Sequence, residues 1–221
     1  MKLTKEEELL NYVVLHSFDY PQEIGLLTGQ MGLIIMVTRY ARKRGLPVLD
    51  EVADCLFDNV VRQASAMREI DFASGLSGIC WGVEFLTQNG IIPDTGQNLC
   101  GDMDNLITER DVDSYHDYSL ETGLLGLWHY VWSRIQGNMQ SSLELPFSES
   151  YLDSWVGILE KTPEKFPENA LSNIRSAING ELKPTPLVVK PFIKPGIRLD
   201  SGNISLGTGL AGYIESEYLR P

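Results

Sequence analysis

Four short stretches of the chain share one pattern: "TGQMGL" (28–33), "SGLSGI" (74–79), "TGLLGL" (122–127) and "TGLAGY" (208–213). Each places Thr or Ser before Gly, two residues, a second Gly and an apolar residue. From first glycine to first glycine the intervals are 46, 48 and 86 residues. The last is close to two periods, as if one copy had lost its glycines. Recurrence at a fixed period of 20–50 residues is the mark of stacked supersecondary units. Each stretch opens a helical pattern, although glycine inside a helix costs about 0.8–1.0 kcal/mol relative to alanine. Something other than helix propensity selects Gly29, Gly32, Gly75, Gly78, Gly123, Gly126, Gly209 and Gly212.

The segments between the glycine pairs supply the second half of each unit. In residues 49–68, Leu49, Val52, Ala53, Leu56, Phe57, Val60, Val61 and Ala64 fall on one helical face. Asp50, Glu51, Asp54, Asp58, Arg62 and Gln63 fall on the other. That is an amphipathic helix with one wet face. Residues 28–40, 74–89 and 122–135, which follow the glycine signatures, are apolar on nearly every side. A helix apolar all round is buried. Alternating half-wet and buried helices predict one all-α domain over 1–221, in which outer helices back a layer of inner ones. The expected architecture is α/α toroid-like, incomplete or small, with four to five helical hairpins.

The expected reason for the glycines is close approach of neighbouring backbones at the helix starts. Thr28, Ser74, Thr122 and Thr208 are expected as N-caps, each hydroxyl accepting an amide hydrogen of the first turn. Bare helix N-termini could alternatively offer amides to an anion.

Two stretches break the rhythm. Residues 90–119 are acidic and contain glycine, with at most a short helix around 97–110. Residues 182–196 carry prolines at 184, 186, 191 and 195, so no helix crosses them. A long extended connection is expected there, with a short strand at "PLVV". Residues 149–180 hold two short helical patterns divided at Pro163 and Pro167, the outer part of the degenerate unit.

The net charge of −12 argues against DNA, RNA and anionic membranes as partners, because phosphates attract Lys and Arg. It is compatible with a basic peptide or a neutral ligand. Cys55, Cys80 and Cys100 are three cysteines without tight spacing, which predicts reduced thiols. The N-terminal "MKLTKEEELLNYVVLHSF" has acids where a signal peptide has its apolar core. No uncharged apolar run reaches the length of a membrane span. A soluble cytoplasmic protein is expected.

The glycine signature opening a buried helix, repeated near 46 residues with an outer helix between, resembles the lanthionine synthetase C-like family. The resemblance implies an α/α toroid, of seven hairpins in that family. It also brings to mind the family's zinc enzymes, which add a peptide cysteine thiolate to dehydroalanine or dehydrobutyrine. Two departures stand out. The chain has room for four or five hairpins, so it would form an open arc or complete a ring by self-association. The family's enzymes hold zinc through a Trp-Cys-x-Gly and a Cys-His-Gly stretch, and this sequence has neither; "CWG" at 80–82 reverses the order, inside its helix. No metal and no cofactor is expected.

Other candidate residues are weaker. His129, in "LLGLWHYVW", is a core histidine or a general base in the concave centre. Trp81, Trp128 and Trp132 are core residues or the aromatic wall of a peptide or sugar site. Glu121 precedes a helix start, where the dipole suits an acid. His116 lies among loop acids and His16 ends the first helix. Asp102, Asp104, Glu109, Asp111, Asp113, Asp117 and Glu121 could supply paired carboxylates for a cation or for glycoside hydrolysis, without matching a calcium loop.

The leading expectation is a noncatalytic lanthionine synthetase C-like protein that binds a peptide or protein partner in a peptide-modification context. The alternatives are a divergent thioether-forming or peptide-maturation enzyme and a carbohydrate-active α/α toroid protein. Elemental analysis of the purified chain is expected to find no stoichiometric zinc; zinc bound one to a chain would restore the cyclase reading.

Overall fold

The computed structural model of the protein describes residues 3–93, 96–141, 145–181, 184–200 and 202–219. Among the described residues the regular structure is all helical. The helices are α1 (Lys5–His16), α2 (Gln30–Arg44), α3 (Val48–Ala64), α4 (Leu76–Gln88), α5 (Gly96–Thr108), α6 (Leu124–Ser141), α7 (Glu149–Lys161), α8 (Ala170–Ile178) and α9 (Leu210–Tyr218). The four glycine signatures open α2, α4, α6 and α9.

These four helices form an inner row in the order α9, α2, α4, α6, each packed on the next. α2 and α4 are buried on almost every side, as their uniformly apolar sequences require. The outer helices pack against the inner helix that precedes them: α3 on α2 and α5 on α4. α3 buries Leu49, Ala53, Leu56, Val60 and Ala64 and exposes Asp50, Glu51, Asp54 and Asp58. α7 lies beside α6, with Trp155 against Trp128. The fourth pair joins the two ends of the chain, because α1 packs on α9.

The seven residues before each inner helix fold back over its first turn. The first helical amide of Gln30, Leu76, Leu124 and Leu210 donates to the carbonyl seven residues earlier: Glu23 (2.8 Å), Glu69 (2.9 Å), Asp117 (2.9 Å) and Asn203 (2.8 Å). This overturns the expected hydroxyl caps. Gly29, Gly75 and Gly209 are themselves the N-caps of their helices, with no side-chain cap bond. The hydroxyls brace the loops instead. Ser74 Oγ donates to Asp71 (2.9 Å), Thr122 Oγ1 donates to Asp117 (2.6 Å), and Thr208 Oγ1 accepts from Asn203 (3.0 Å). The leading amide of each helix is therefore spent on the chain's own carbonyl and is not offered to an anion.

The loops also bind one another through equivalent positions. Gly207 N–H donates to Leu27 O (2.9 Å), Leu27 N–H to Ala73 O (2.9 Å), and Ala73 N–H to Glu121 O (3.0 Å). One apolar side chain passes with each bond. Leu206 packs at Gly32, Leu26 at Gly78 and Phe72 at Gly126. A Cβ on Gly78 would lie 3.0 Å from Leu26 Cβ and would also strike the carbonyl of Phe72. The second glycine is thus required twice, by its own loop and by its neighbour's side chain.

The row is closed by the proline-containing segment 184–197, here called the strap. Thr185 N–H donates to Gln136 Oε1 of α6 (2.7 Å). At the other end Lys194 N–H donates to Gly207 O (2.8 Å), and its ammonium pairs with Glu121 (2.6 Å). Ile193 and Ile197 stand over Gly212, where a knob from a preceding unit would sit. Residues 186–189 form no strand, contrary to expectation. Pro184 and Pro186 have no N–H to offer a ladder, and the amide of Thr185 is taken by the side chain of Gln136.

Gly78→Ala is expected to destabilise the fold by about 3 kcal/mol, since backbone must move to admit the methyl. Gly157→Ala is the control. It is mid-helix in α7 with nothing within 4 Å of the new Cβ, so alanine should stabilise by about 0.5–1 kcal/mol. Urea unfolding of both variants checks the contrast.

Candidate functional site

The interior expected to hold a site is filled by the strap. Leu187, Val189 and Phe192 are buried. The Phe192 ring lies 5.1 Å from Phe72, 4.8 Å from Trp81 and 4.9 Å from His129, measured between centroids, all edge-on. Trp81 and His129 are thus brought together, but around a side chain of their own molecule. Burial pushes His129 down to about 4, so it is neutral near pH 7.

Trp128 and Trp132 do not share that wall. They stack at 5.9 Å and turn toward the outer layer, where Trp155 and Phe166 meet Trp128. Glu121 lies on the loop side, paired with Lys194, whose ammonium holds it below the usual carboxylate range.

The acids of 102–121 do not converge. Asp104 is buried and takes a forked pair of bonds from Arg134, 3.0 Å from Nε and 2.6 Å from Nη2. Asp111 accepts from the amide of Asp113 (3.0 Å). Asp117 accepts from Thr122 and Ser119 inside its own loop, and those bonds lower it. Among the described residues no three His, Cys, Asp or Glu side chains gather to hold a metal. His16 pairs with Asp19 at 2.6 Å.

A buried ionic cluster is the main feature that sequence reasoning missed. Arg134 of α6 bridges Asp104 of α5 and Glu84 of α4, and Tyr130 donates to Asp104. Gln88 donates to Glu84 (2.8 Å) and to Ser133 O (2.9 Å). Burial pushes Glu84 up, and Arg134 opposes it. Glu84 and Arg134 inside otherwise apolar helices were the sequence signal. The arrangement joins three helices around a buried Arg134 whose three nitrogens all donate to Asp104 or Glu84, a structural role. Cys80 and Cys100 lie beside it, both buried. A hydrogen bond with Cys80, then burial, raises the Cys100 thiol well above its ordinary value, which suppresses thiolate reactivity.

A second buried acid sits at the α9–α2 seam. Glu215 Oε2 pairs with Arg39 (3.2 Å), while Oε1 has no hydrogen-bond partner. Burial pushes it up to about 7 against the pull of Arg39 and Lys43.

One accessible concave feature among the described residues lies outside the interior. Among those residues, half of the large hydrophobic side chains that stand exposed come from residues 3–20: Leu3, Tyr12, Leu15, Phe18 and Tyr20. α1 buries Leu9, Leu10 and Val13 against the core, so Tyr12 and Leu15 lie off its core stripe. Tyr12 packs on His16, with ring centroids 4.3 Å apart. His16 and Tyr20 then line an open pocket of ≈ 250 Å³ together with Glu23, Leu33, Ile204 and Ser205. The pocket stands where the end of α1 meets the loops before α2 and α9. No family model, curated protein or solved structure matches the chain.

Glu215→Gln should isolate the seam acid. A carboxyl whose folded value lies above its ordinary 4.5 favours the folded state fully only below about pH 4.5, and that contribution fades as pH rises to about 7. The variant is expected to match the parent near pH 4.5 and to exceed its stability by about 2 kcal/mol near pH 8. Urea unfolding at both pH values checks it.

Proposed function

We propose that the chain is a short, noncatalytic relative of the lanthionine synthetase C-like proteins. It acts in the cytoplasm and binds a peptide or protein partner in a peptide-modification setting. The glycine-opened inner helices, each backed by an outer one, support the kinship and a small toroid-like arrangement with the strap in the fifth inner place. The observation that carries the binding reading is the exposed surface of Tyr12, Leu15, Phe18 and Tyr20 beside an open pocket. Contiguous exposed apolar surface on a small soluble domain marks an interaction site. Aromatic side chains with a polar tip are the residues that anchor such sites.

The noncatalytic reading is supported by Glu84 and Asp104 being tied to Arg134 in the interior. The outer pocket mixes apolar walls, Leu33 and Ile204, with the polar groups of His16, Glu23, Gln30 and Ser205, a lining suited to recognition.

Displayed random peptides selected on the immobilised chain are expected to include binders that lose about tenfold or more in affinity for a Tyr12→Ser, Leu15→Ser, Tyr20→Ser variant. All three side chains are exposed, so the variant should keep its circular dichroism spectrum. Failure to enrich any sequence, or enrichment only of sequences that bind both proteins equally, overturns the reading.

A further inference from the structure

The pocket beside Tyr20 combines two chemistries. Its walls are apolar where Tyr20, Leu33 and Ile204 meet, and Leu33 is buried, so it forms a floor of fixed shape. It is an open depression, ≈ 250 Å³ counting the space continuous with solvent, so it offers a seat to part of a ligand rather than enclosing one. Its rim is acidic. Glu23 lines it and is exposed, and Asp19 stands alongside, paired to the His16 that forms another wall. The chain as a whole carries −12.

Charge therefore separates the occupants. A second copy would bring the same −12 and the same acidic rim, and like charges juxtaposed across an interface oppose association. A cationic segment is drawn to the rim and steered to it. We propose that this pocket takes one bulky apolar side chain of a cationic peptide segment, between Tyr20, Leu33 and Ile204, with a flanking Lys or Arg set against Glu23 and Asp19. The inference rests on the peptide-binding reading above and adds the chemistry of the partner. Insertion of the apolar side chain supplies affinity by burying surface, and the rim supplies selection among peptides of equal hydrophobicity. The two contributions are separable, since only the second is screened by salt.

The probes are three fluorescein-labelled glycine–serine peptides with one central tryptophan flanked by two arginines, two serines or two aspartates. Anisotropy titration of the full chain is expected to rank them arginine, serine, aspartate. The arginine peptide should bind about tenfold tighter than the serine peptide at roughly 50 mM salt, and the gap should fall below about twofold near 500 mM. Asp19→Asn with Glu23→Gln should bring the arginine peptide to the serine peptide's affinity without changing the latter. Tyr20→Ser should weaken all three. Val48→Ser, which alters an exposed apolar side chain outside the patch, should weaken none.

Equal affinities for the three peptides, or a charge preference that survives the double substitution, overturn the cationic partner. If that binding still depends on Tyr20, the peptide-binding reading stands. Absence of Tyr20-dependent binding by any of the three overturns the pocket assignment and removes the support for that reading. Light scattering that finds a dimer abolished by Tyr20→Ser gives the pocket to a second copy and overturns the proposal.

Discussion

One short hydrogen bond, made four times, organises this molecule. The first amide of each inner helix reaches the carbonyl seven residues before it, which curls the intervening loop over the helix start. The curl places carbonyl oxygen where two side chains of the first turn would begin, so both positions must be glycine. The same curl turns the loop's edge outward, and the edge bonds to the next loop. Pairing of Gly207 with Leu27, Leu27 with Ala73 and Ala73 with Glu121 then fixes the order and spacing of α9, α2, α4 and α6. A helix start that would be exposed polar backbone becomes a shared element between neighbours, with its amides satisfied internally.

The glycine pattern was legible because a steric demand repeated in space repeats in sequence. Inner and outer helices were legible for a similar reason: burial on all sides and burial on one side leave different periodicities, as α4 and α3 show. The caps were misread because a hydroxyl before a helix usually does cap it. Here the loop's own carbonyls reach the amides first, and Ser74 and Thr122 bond to loop aspartates instead. The strap's prolines correctly excluded a helix, but its path into the centre depends on Trp81, Phe72 and His129, which come from three other places in the chain. The Glu84–Arg134–Asp104 cluster was missed for the same cause, since it exists only once three helices are assembled. The outer pocket unites residues 16–33 with residues 204–205, a juxtaposition that no local pattern encodes.

The strap changes what the interior can do. Segment 184–197 runs from α6 to the loop before α9 and buries Leu187, Val189 and Phe192. Phe192 packs edge-on against Trp81 and His129, and burial lowers His129 to about 4. Exposed side chains of mixed character, Tyr12, Phe18, Asp19, Tyr20 and Glu23, lie instead at the end of α1 and in the loop after it.

The same region is where the first and last described helices meet. α1 has its inner partner in α9, so the unit they form joins segments far apart in sequence. Glu215 holds a buried acid at the seam of α9 with α2, with one oxygen unpaired and Arg39 as its main compensation. A buried carboxylate with one oxygen unbonded weakens the docking of α9 at neutral pH. The pocket draws its walls from the end of α1 and from Ile204 and Ser205, just before α9. Any ligand that touches both sides binds only the docked arrangement and stabilises it by mass action. A ligand held between the end of α1 and residues 204–205 would couple its own binding to the docking of α1 on α9.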